Sequence, residues 1–254
     1  MLIIFIERVG NKMPRRARIS VAGVPWHIIQ RGNNRTACFF SDDDYLFYLE
    51  ILKEQAIKTD CSVHAYVLMT NHVHLLLTPE RVDSAALLMK NLGQRYVQYI
   101  NRKYQRSGTL WEGRFRSCLT QSESYVMACY RYIELNPVRA GIVTHPRAYR
   151  WSSYGFNGEG RKNQLLTPHD QYIKISRKEL TRRKGYRALF KAEIDEESDN
   201  KIRAATNGNF VLGNERFQAE IAATVGRRVT KGVAGRPRKE KVKKSGLSPN
   251  KVSK

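Results

Sequence analysis

The tripeptide His72-Val73-His74 places two imidazoles where they can share one ligand. On a β-strand, residues two apart point to the same face, with their Cα atoms about 6.5–7 Å apart. Two imidazoles in that arrangement can converge on one metal ion, at about 2.0–2.1 Å per bond if the ion is zinc. Val73 would point to the opposite face and join the core. Taken alone, such a pair is more often solvated or hydrogen-bonded than bound to a metal.

The segment from Tyr132 to Asn136 combines a phenol and a carboxamide directly before Pro137. Residues four apart stack on one face of a helix, so these two side chains would lie side by side. Tyr130 lies about 200° away from Tyr132 around the helix axis, so only one of the two tyrosines can face the histidine pair. Because Tyr132 shares a helix face with Asn136, Tyr132 is the tyrosine predicted to face the histidines. Taken alone the pattern is ordinary, because Asn-Pro ends many helices and tyrosines at helical spacing usually pack in a core.

Together the two patterns describe a site that can act on a phosphodiester. His72, His74 and the amide oxygen of Asn136 would hold a divalent ion and leave positions open for phosphate oxygens. Carboxamide and imidazole ligands together suit Mg²⁺ or Mn²⁺ better than zinc. The ion would polarise the phosphate and stabilise the departing 3′ oxygen, while the phenol of Tyr132 attacks phosphorus.

Cations near the phenol would have to assist that attack, because a tyrosine ordinarily has a pKa of about 10. Arginines can supply this charge, contact phosphates or simply face solvent, and the residue type alone does not separate these roles. The candidate nucleic-acid contacts are Arg31, Arg114, Arg116, Arg139, Arg236 and Arg238.

The charge balance of the chain points to a polyanionic partner. Its 45 lysines and arginines outnumber 23 acidic residues, which gives a formal net charge of +22. Such a surface attracts nucleic acids, the commonest polyanions inside cells. The alternative is a basic protein without a specific partner. No apolar run approaches the length of a membrane helix, and the four scattered cysteines are typical of reduced thiols in a cytoplasmic protein.

The elements that must position these residues follow from periodicity and turn signals. The order is strand, helix, strand, strand, helix, strand, followed by one more helix that Pro137 stops. This order predicts an α+β fold, a ferredoxin-like split βαβ antiparallel sheet with helices on one face and an extra C-terminal helix that bears the tyrosine. The predicted strands are residues 24–31, 62–69, 72–78 and 115–120. One predicted helix begins at Ser41 and another at Ser122, and the helix between them carries Leu88, Leu92, Tyr96 and Ile100 on one stripe.

The chain divides by composition into four predicted parts. Residues 13–155 form the main domain, and residues 156–226 form a linker and a small helical module that ends at Gly226. Residues 227–254 form a basic disordered tail. Residues 1–12 are predicted to be a non-native or upstream-start extension, because Met13-Pro14-Arg15-Arg16 is a more natural beginning. The apolar run from Leu2 to Ile6 is too short for a signal peptide.

The tail contains Gly235-Arg236-Pro237-Arg238-Lys239, which resembles the core of an AT-hook. An extended Arg-Pro segment of this kind can enter a narrow minor groove of DNA. The preceding position holds Ala234, where an AT-hook has an arginine. A nonspecific phosphate-binding tail is therefore the favoured interpretation.

Four segments resemble one known family. Asn71-His72-Val73-His74, followed by three leucines, resembles the HUH motif (U is hydrophobic) of single-tyrosine transposases. The run from Tyr132 to Gly141 resembles the tyrosine helix of the REP-associated branch, the RAYT proteins. Pro25 to Asn34 and Trp151 to Tyr154 are also similar to that branch. The resemblance covers residues 13–155, and the combination is far more specific than any one segment.

The resemblance implies a function and a set of roles. His72 and His74 match the family's metal-binding pair, and Tyr132 matches its nucleophile. Related transposases carry a glutamine as third ligand where this chain has Asn136, which has a shorter reach. The resemblance implies cleavage of single-stranded DNA beside hairpins of repetitive extragenic palindromes (REP), through a 5′-phosphotyrosine intermediate that conserves the bond energy for rejoining. It also implies a bacterial, cytoplasmic protein associated with the nucleoid.

Two other functions remain open at this stage. The first is a non-catalytic protein that binds or regulates hairpin DNA, which the charge supports equally well. The second is a metal-dependent hydrolase of small molecules, which usually needs more histidines and aspartates than the four other histidines offer. The sequence also leaves open the target hairpin, a homodimer, and whether the tyrosine acts within its own subunit.

Overall fold

A computed structural model describes residues 17–191 and 195–232 of the chain. The predicted extension at residues 1–12 and the AT-hook-like segment with Arg236 and Arg238 lie outside the described residues. Within the described part, no helix is long and apolar enough to cross a membrane.

The first part of the fold contains four strands and four helices in the predicted order. The elements are β1 (Trp26–Arg31), α1 (Asp42–Lys58), β2 (Cys61–Met69), β3 (His72–Pro79), α2 (Ser84–Lys103), β4 (Arg116–Thr120), α3 (Ser122–Glu134) and α4 (Asn136–Arg139). Helix α1 begins after Ser41 with three aspartates in its first turn, and Pro137 lies in the first turn of α4, where its missing N–H costs nothing.

The second part is a helical module that also lends one short strand to the sheet. Its elements are α5 (Tyr154–Asn157), α6 (Asp170–Ile173), α7 (Glu179–Ala188), α8 (Glu196–Gly208), β5 (Val211–Leu212) and α9 (Glu215–Val225). Asn214 caps α9 by accepting a hydrogen bond from the Phe217 amide, and Gly226 ends it in the left-handed conformation that glycine adopts without strain.

The strands form one sheet in the order β2-β3-β1-β4-β5. The first four are antiparallel, and β5 joins β4 in parallel. This arrangement confirms the predicted ferredoxin-like split βαβ fold. The register places Ile29 opposite His74 and Arg31 opposite His72, so these side chains of β1 and β3 lie together on one face of the sheet.

The two faces of the sheet are covered by different helices. Val73, Leu75 and Leu77 of β3 are fully buried on the first face, in one core with the apolar stripes of α1 and α2. Leu76 belongs to a second core on the opposite face, where α3 and the C-terminal module pack. Because β3 alternates, His72 and His74 share the second face with Leu76.

Candidate active site

The second face of the sheet contains a cleft of about 780 Å³. One wall consists of α3 and α4, the floor is formed by β1 and β3, and the other wall is α8 of the C-terminal module. The cleft is lined by residues from all of these elements: His27, Ile29, Arg31, His72, His74, Tyr132, Asn136, Arg139, Ala140, Glu196, Asp199, Asn200, Arg203, Thr206 and Asn207.

His72 and His74 approach each other at a spacing that suits a shared ion. Their ring centroids are 5.2 Å apart and their planes make an angle of 80°. Two imidazoles bound to one ion at normal bond lengths have their centroids roughly 5 Å apart. His74 is 2% exposed, whereas His72 lies at the mouth of the cleft.

The hydrogen bond between His72 and Asn71 fixes the tautomer of the His72 imidazole. Its Nδ1 lies 2.6 Å from Oδ1 of Asn71, and the Asn71 amide group donates to the carbonyl of Arg35 at 3.0 Å. The second contact orients the carboxamide so that its oxygen faces the imidazole and accepts from Nδ1–H. The lone pair of His72 therefore sits on Nε2.

His74 is held in the same tautomer by a chain of buried groups. The Thr206 hydroxyl donates to the Ile202 carbonyl at 2.8 Å, so its oxygen accepts from Nδ1–H of His27 at 2.9 Å. His27 then has its lone pair on Nε2, which lies 2.8 Å from Nδ1 of His74 and accepts its proton. Both His72 and His74 thus carry their lone pair on Nε2, the arrangement in which metal-binding histidines are usually held.

Burial keeps these imidazoles neutral, as ligands must be. Burial, reinforced by Arg139, lowers the pKa of His27 to about 3. Burial, reinforced by Arg31, lowers the pKa of His72 to about 4. Burial and the two neighbouring histidines place the pKa of His74 well below its ordinary value. The lone pairs are therefore available at neutral pH.

Asn136 provides a third group close to His72. Its side chain interacts with the His72 imidazole, and its Nδ2 is buried without a hydrogen-bond partner. Because an amide nitrogen donates, this orphaned group fits a hydrogen-bond acceptor from outside the protein, whereas the Asn136 amide oxygen is the atom that could bind a metal ion. Among residues 17–191 and 195–232, no group of three or more histidine, cysteine, aspartate and glutamate side chains can hold a metal ion.

Tyr132 lies against the histidines in the same cleft of the same chain. Its ring makes edge contacts with His74 at 5.6 Å and with His27 at 5.5 Å between centroids. The Arg139 guanidinium covers the Tyr132 ring at 4.3 Å and donates to the Tyr132 backbone carbonyl. Tyr130 points away from the cleft and packs against Tyr172 and Tyr186.

The candidate arginines occupy different places. Arg31 and Arg139 line the cleft, and Arg139 pairs with Asp199 of α8 at 3.0 Å. Arg114 and Arg116 line the narrower cleft that adjoins it.

Sequence reasoning did not identify His27 and Thr206, the two residues that hold His74 in its tautomer. His27 could have been found, because alternation along β1 places it on the same face as Arg31 once β1 is paired with β3. Thr206 gave no local signal, since its contact with His27 spans 179 residues.

Comparisons with known proteins agree with this geometry. Residues 20–136 match the family model described as "Transposase IS200 like", a segment that contains both histidines, Tyr132 and Asn136. The chain is therefore similar to the IS200-like transposases over somewhat less than half of its length. No curated protein matches the chain.

Solved structures refine the comparison. The chain is similar to a structure described as a REP-associated tyrosine transposase bound to a REP hairpin, with 17% identity, a TM-score of 0.51, and coverage of 62% of this chain and 93% of that one. At this identity the match shows that the two proteins share a fold. A transposase structure from Deinococcus radiodurans R1 is 25% identical over 48% of this chain and 96% of that one, but its TM-score of 0.34 is too low to carry an argument.

Proposed function

We propose that this chain is a metal-dependent endonuclease and strand-transferase that acts on single-stranded DNA at REP-type hairpins. The observation that carries the proposal is the packing of the Tyr132 ring against His74, beside His72 and Asn136, in one cleft. The transposase family, the net charge of +22 and the REP hairpin in the structural relative support the DNA substrate.

His72, His74 and Asn136 would hold the divalent ion, either Mg²⁺ or Mn²⁺. When bound, that ion would polarise the scissile phosphate and stabilise the departing 3′ oxygen. The Nε2 lone pairs of both histidines and the Asn136 amide oxygen fit this role, and the unpartnered Asn136 Nδ2 could donate to a phosphate oxygen. His27 is not a ligand in this scheme, because both of its ring nitrogens are engaged by Thr206 and His74.

Tyr132 would be the nucleophile. Its phenol oxygen forms the bond to phosphorus while the bond from phosphorus to O3′ breaks, which yields a 5′-phosphotyrosine and a free 3′-hydroxyl. The phenol proton leaves to solvent, and the departing oxygen takes up a proton. Arg139 holds the Tyr132 ring and its backbone carbonyl, and so fixes the direction of attack.

A covalent-adduct assay tests this function. Purified protein is incubated with Mn²⁺ or Mg²⁺ and labelled hairpin oligonucleotides, and adducts are resolved by denaturing electrophoresis. We expect an adduct that Tyr132→Phe abolishes while DNA binding persists. Tyr130→Phe is the matched control, since that phenol lies two positions away on α3 and outside the cleft. An adduct that survives in Tyr132→Phe would refute the assignment.

One observation favours the alternative of a non-catalytic hairpin-binding or regulatory protein. Asp199 pairs with Arg139, so the cation nearest the Tyr132 ring is already neutralised. Tight hairpin binding without an adduct at any metal concentration or pH would establish that alternative.

A further inference from the structure

Three further clefts extend in a row from the active-site cleft past Arg116, the first residue of β4. The second cleft shares Arg31 and Asn207 with the active-site cleft and is also lined by Arg114 and Arg116. The third, of about 230 Å³, shares those two arginines and adds Arg18. The fourth, of about 150 Å³, shares Asn209 with the third and adds Arg227 and Arg228.

Hydrogen bonds hold several of these arginines in line. Arg116 donates to Oδ1 of Asn207 at 3.1 Å. Arg18 donates twice to the Phe115 carbonyl, at 3.2 and 3.1 Å, and its guanidinium lies 3.5 Å from the centroid of the Phe115 ring. Arg227 donates to the backbone carbonyl of Arg18. The cationic groups therefore follow one another along a defined path.

This path lacks a matching set of acids. Within residues 17–191 and 195–232, the structure shows no ion pair for any arginine of the path, and Glu112 is the one carboxylate among the residues that line the three outer clefts. Burial and the charge of Arg114 lower the pKa of Arg18 to about 10. Crowded cations without counter-charges are the feature that a phosphate backbone compensates.

We propose that these six arginines form an arginine track that binds the backbone of an unpaired DNA strand next to the cleavage point. The arginine track is Arg31, Arg116, Arg114, Arg18, Arg227 and Arg228. The inference rests on the proposed function and deepens it, because it assigns a path to the strand that flanks the hairpin.

The shape of the path selects a single strand over a duplex. The track opens from a cleft enclosed by α3 and α4 on one side and by α8 on the other, which leaves room for one strand beside Tyr132. The three outer clefts, of about 20, 230 and 150 Å³, are too small to enclose a duplex. Strand-tracking grooves in single-strand binders use the same unpaired positive charge.

The far end of the arginine track belongs to the C-terminal module. Arg227 and Arg228 follow α9, and Asn207 and Asn209 lie at the end of α8, all beyond the residues that match the family model. The module would therefore contribute to substrate binding by two routes, as one wall of the active-site cleft and as the end of the track.

Fluorescence anisotropy with two oligonucleotides tests the track. One is a REP-type hairpin alone, and the other is the same hairpin with unpaired nucleotides on both sides. All variants also carry Tyr132→Phe, so that no cleavage occurs during the measurement. For Arg227→Gln/Arg228→Gln, both exposed, we expect about tenfold weaker binding of the extended oligonucleotide and no change for the hairpin alone. The plot of log K against log salt should become shallower by about 1.4, since each single-strand phosphate contact contributes about 0.7.

Lys90→Gln/Arg102→Gln is the matched control. It removes two exposed charges from α2, which packs on the opposite face of the sheet. We expect a small and equal loss for both oligonucleotides. Adding Arg18→Gln to the track variant should extend the loss. Equal losses with both oligonucleotides, or no loss in the Arg227/Arg228 variant, would overturn the track.

The two proposals fail in distinguishable ways. If the Arg227/Arg228 variant loses affinity for the extended oligonucleotide alone, but the protein with Tyr132 intact forms no covalent adduct, the track is supported and the nuclease is refuted. An adduct without extension-dependent binding supports the nuclease and refutes the track.

Discussion

The two faces of the sheet are built from the same strands but have opposite chemistry. On the first face, Trp26, Ile28 and Leu75 are at most 1% exposed and belong to one core of apolar and aromatic side chains. On the second face, His27 and His74 are just as buried, and they satisfy each other and Thr206 by hydrogen bonds. Alternation along a strand thus separates a face that stabilises the fold from a face that positions polar groups.

The difference shows how the protein maintains a polar interior. Burying a large apolar side chain contributes about 1.5–3 kcal/mol, whereas a buried polar group contributes little even when it is fully hydrogen-bonded. The first face therefore carries the excess stability that allows the second face to hold neutral imidazoles and an unpartnered amide. Substitutions on the two faces should separate stability from metal binding.

The largest effect is expected in the first core. Leu92→Ala, at a fully buried position of α2, should lower the free energy of unfolding by about 2–5 kcal/mol through lost burial and a cavity. Leu87→Ala, at a position 36% exposed on the same helix, is the control and should cost far less. Chemical denaturation measures both. The folded Leu92→Ala protein should keep its Mn²⁺ affinity, and a large loss of affinity would break the separation of the two faces.

The next effect concerns Glu134, a carboxyl buried in the second core. It accepts hydrogen bonds from Ser153, Asn157 and Tyr186 at 2.5–2.8 Å, yet burial raises its pKa to about 7. The folded state then holds a proton that the unfolded state has lost between about pH 4.5 and 7. Stability from this group should fall across that window by about 3 kcal/mol.

Glu134→Gln removes the ionisation and should flatten the pH dependence by this amount. Urea unfolding of both proteins at several pH values between 4.5 and 8 provides the measurement. Parallel stability curves for the two proteins would contradict the role of burial at Glu134.

A smaller effect is expected from Thr206→Val, which removes the group that fixes the His27 tautomer. The His27 proton would move to Nε2, the proton of His74 would follow to its own Nε2, and the lone pair would leave the cleft. Mn²⁺ affinity should fall about 10–100-fold, as for other groups that orient metal ligands. Calorimetric titration measures the affinity, and ¹⁵N spectra of the imidazoles report the tautomer without metal.

The chain offers a matched control for this change. Thr224 makes the same hydroxyl bond to the carbonyl four residues earlier, but on exposed α9. Thr224→Val should leave both readouts unchanged, and Thr206→Ser should restore them. If the unsubstituted protein carries the His74 proton on Nε2, Thr206 and His27 do not fix the His74 tautomer as described.

The smallest effect is expected at the beginning of α8. Asp195 accepts a hydrogen bond from the Ser198 amide, and Asp195→Ala should weaken the helix by about 1 kcal/mol. Asp195→Asn, which keeps an acceptor, is the control. Amide hydrogen exchange across α8 should speed up in the alanine variant alone, and unchanged exchange would show that packing rather than the cap holds this wall.

The sequence predicted the elements that obey local rules. Alternation gave β3 and the burial of Val73, and the helical repeat put Tyr132 and Asn136 on one stripe and turned Tyr130 away. The sequence also predicted the fold and a resemblance to transposases; the chain shares its fold with a solved structure, and residues 20–136 match the IS200-like transposase model. The roles of the histidines, Tyr132 and Asn136 and the proposed domain limits remain predictions.

What the sequence did not predict depends on contacts between distant segments. Thr206 meets His27, and Arg227 meets Arg18, across about two hundred positions. The strand β5 has only two residues and pairs with β4 across more than ninety residues of sequence, so it is too short to show a periodic pattern. Such pairings arise when the module packs against the sheet, and this packing leaves no local pattern.

The parallel pairing of β5 with β4 bears on how the protein can be divided. The Val211 amide is bonded to the carbonyl of Val229, itself 2% exposed, so the sheet edge is closed by residues far beyond the family match. A chain cut after residue 155 would uncover Cys118 and the outer ring nitrogen of His27 to water. Enzymatic assays on such a fragment would therefore measure an altered site, and the full chain is the unit to study.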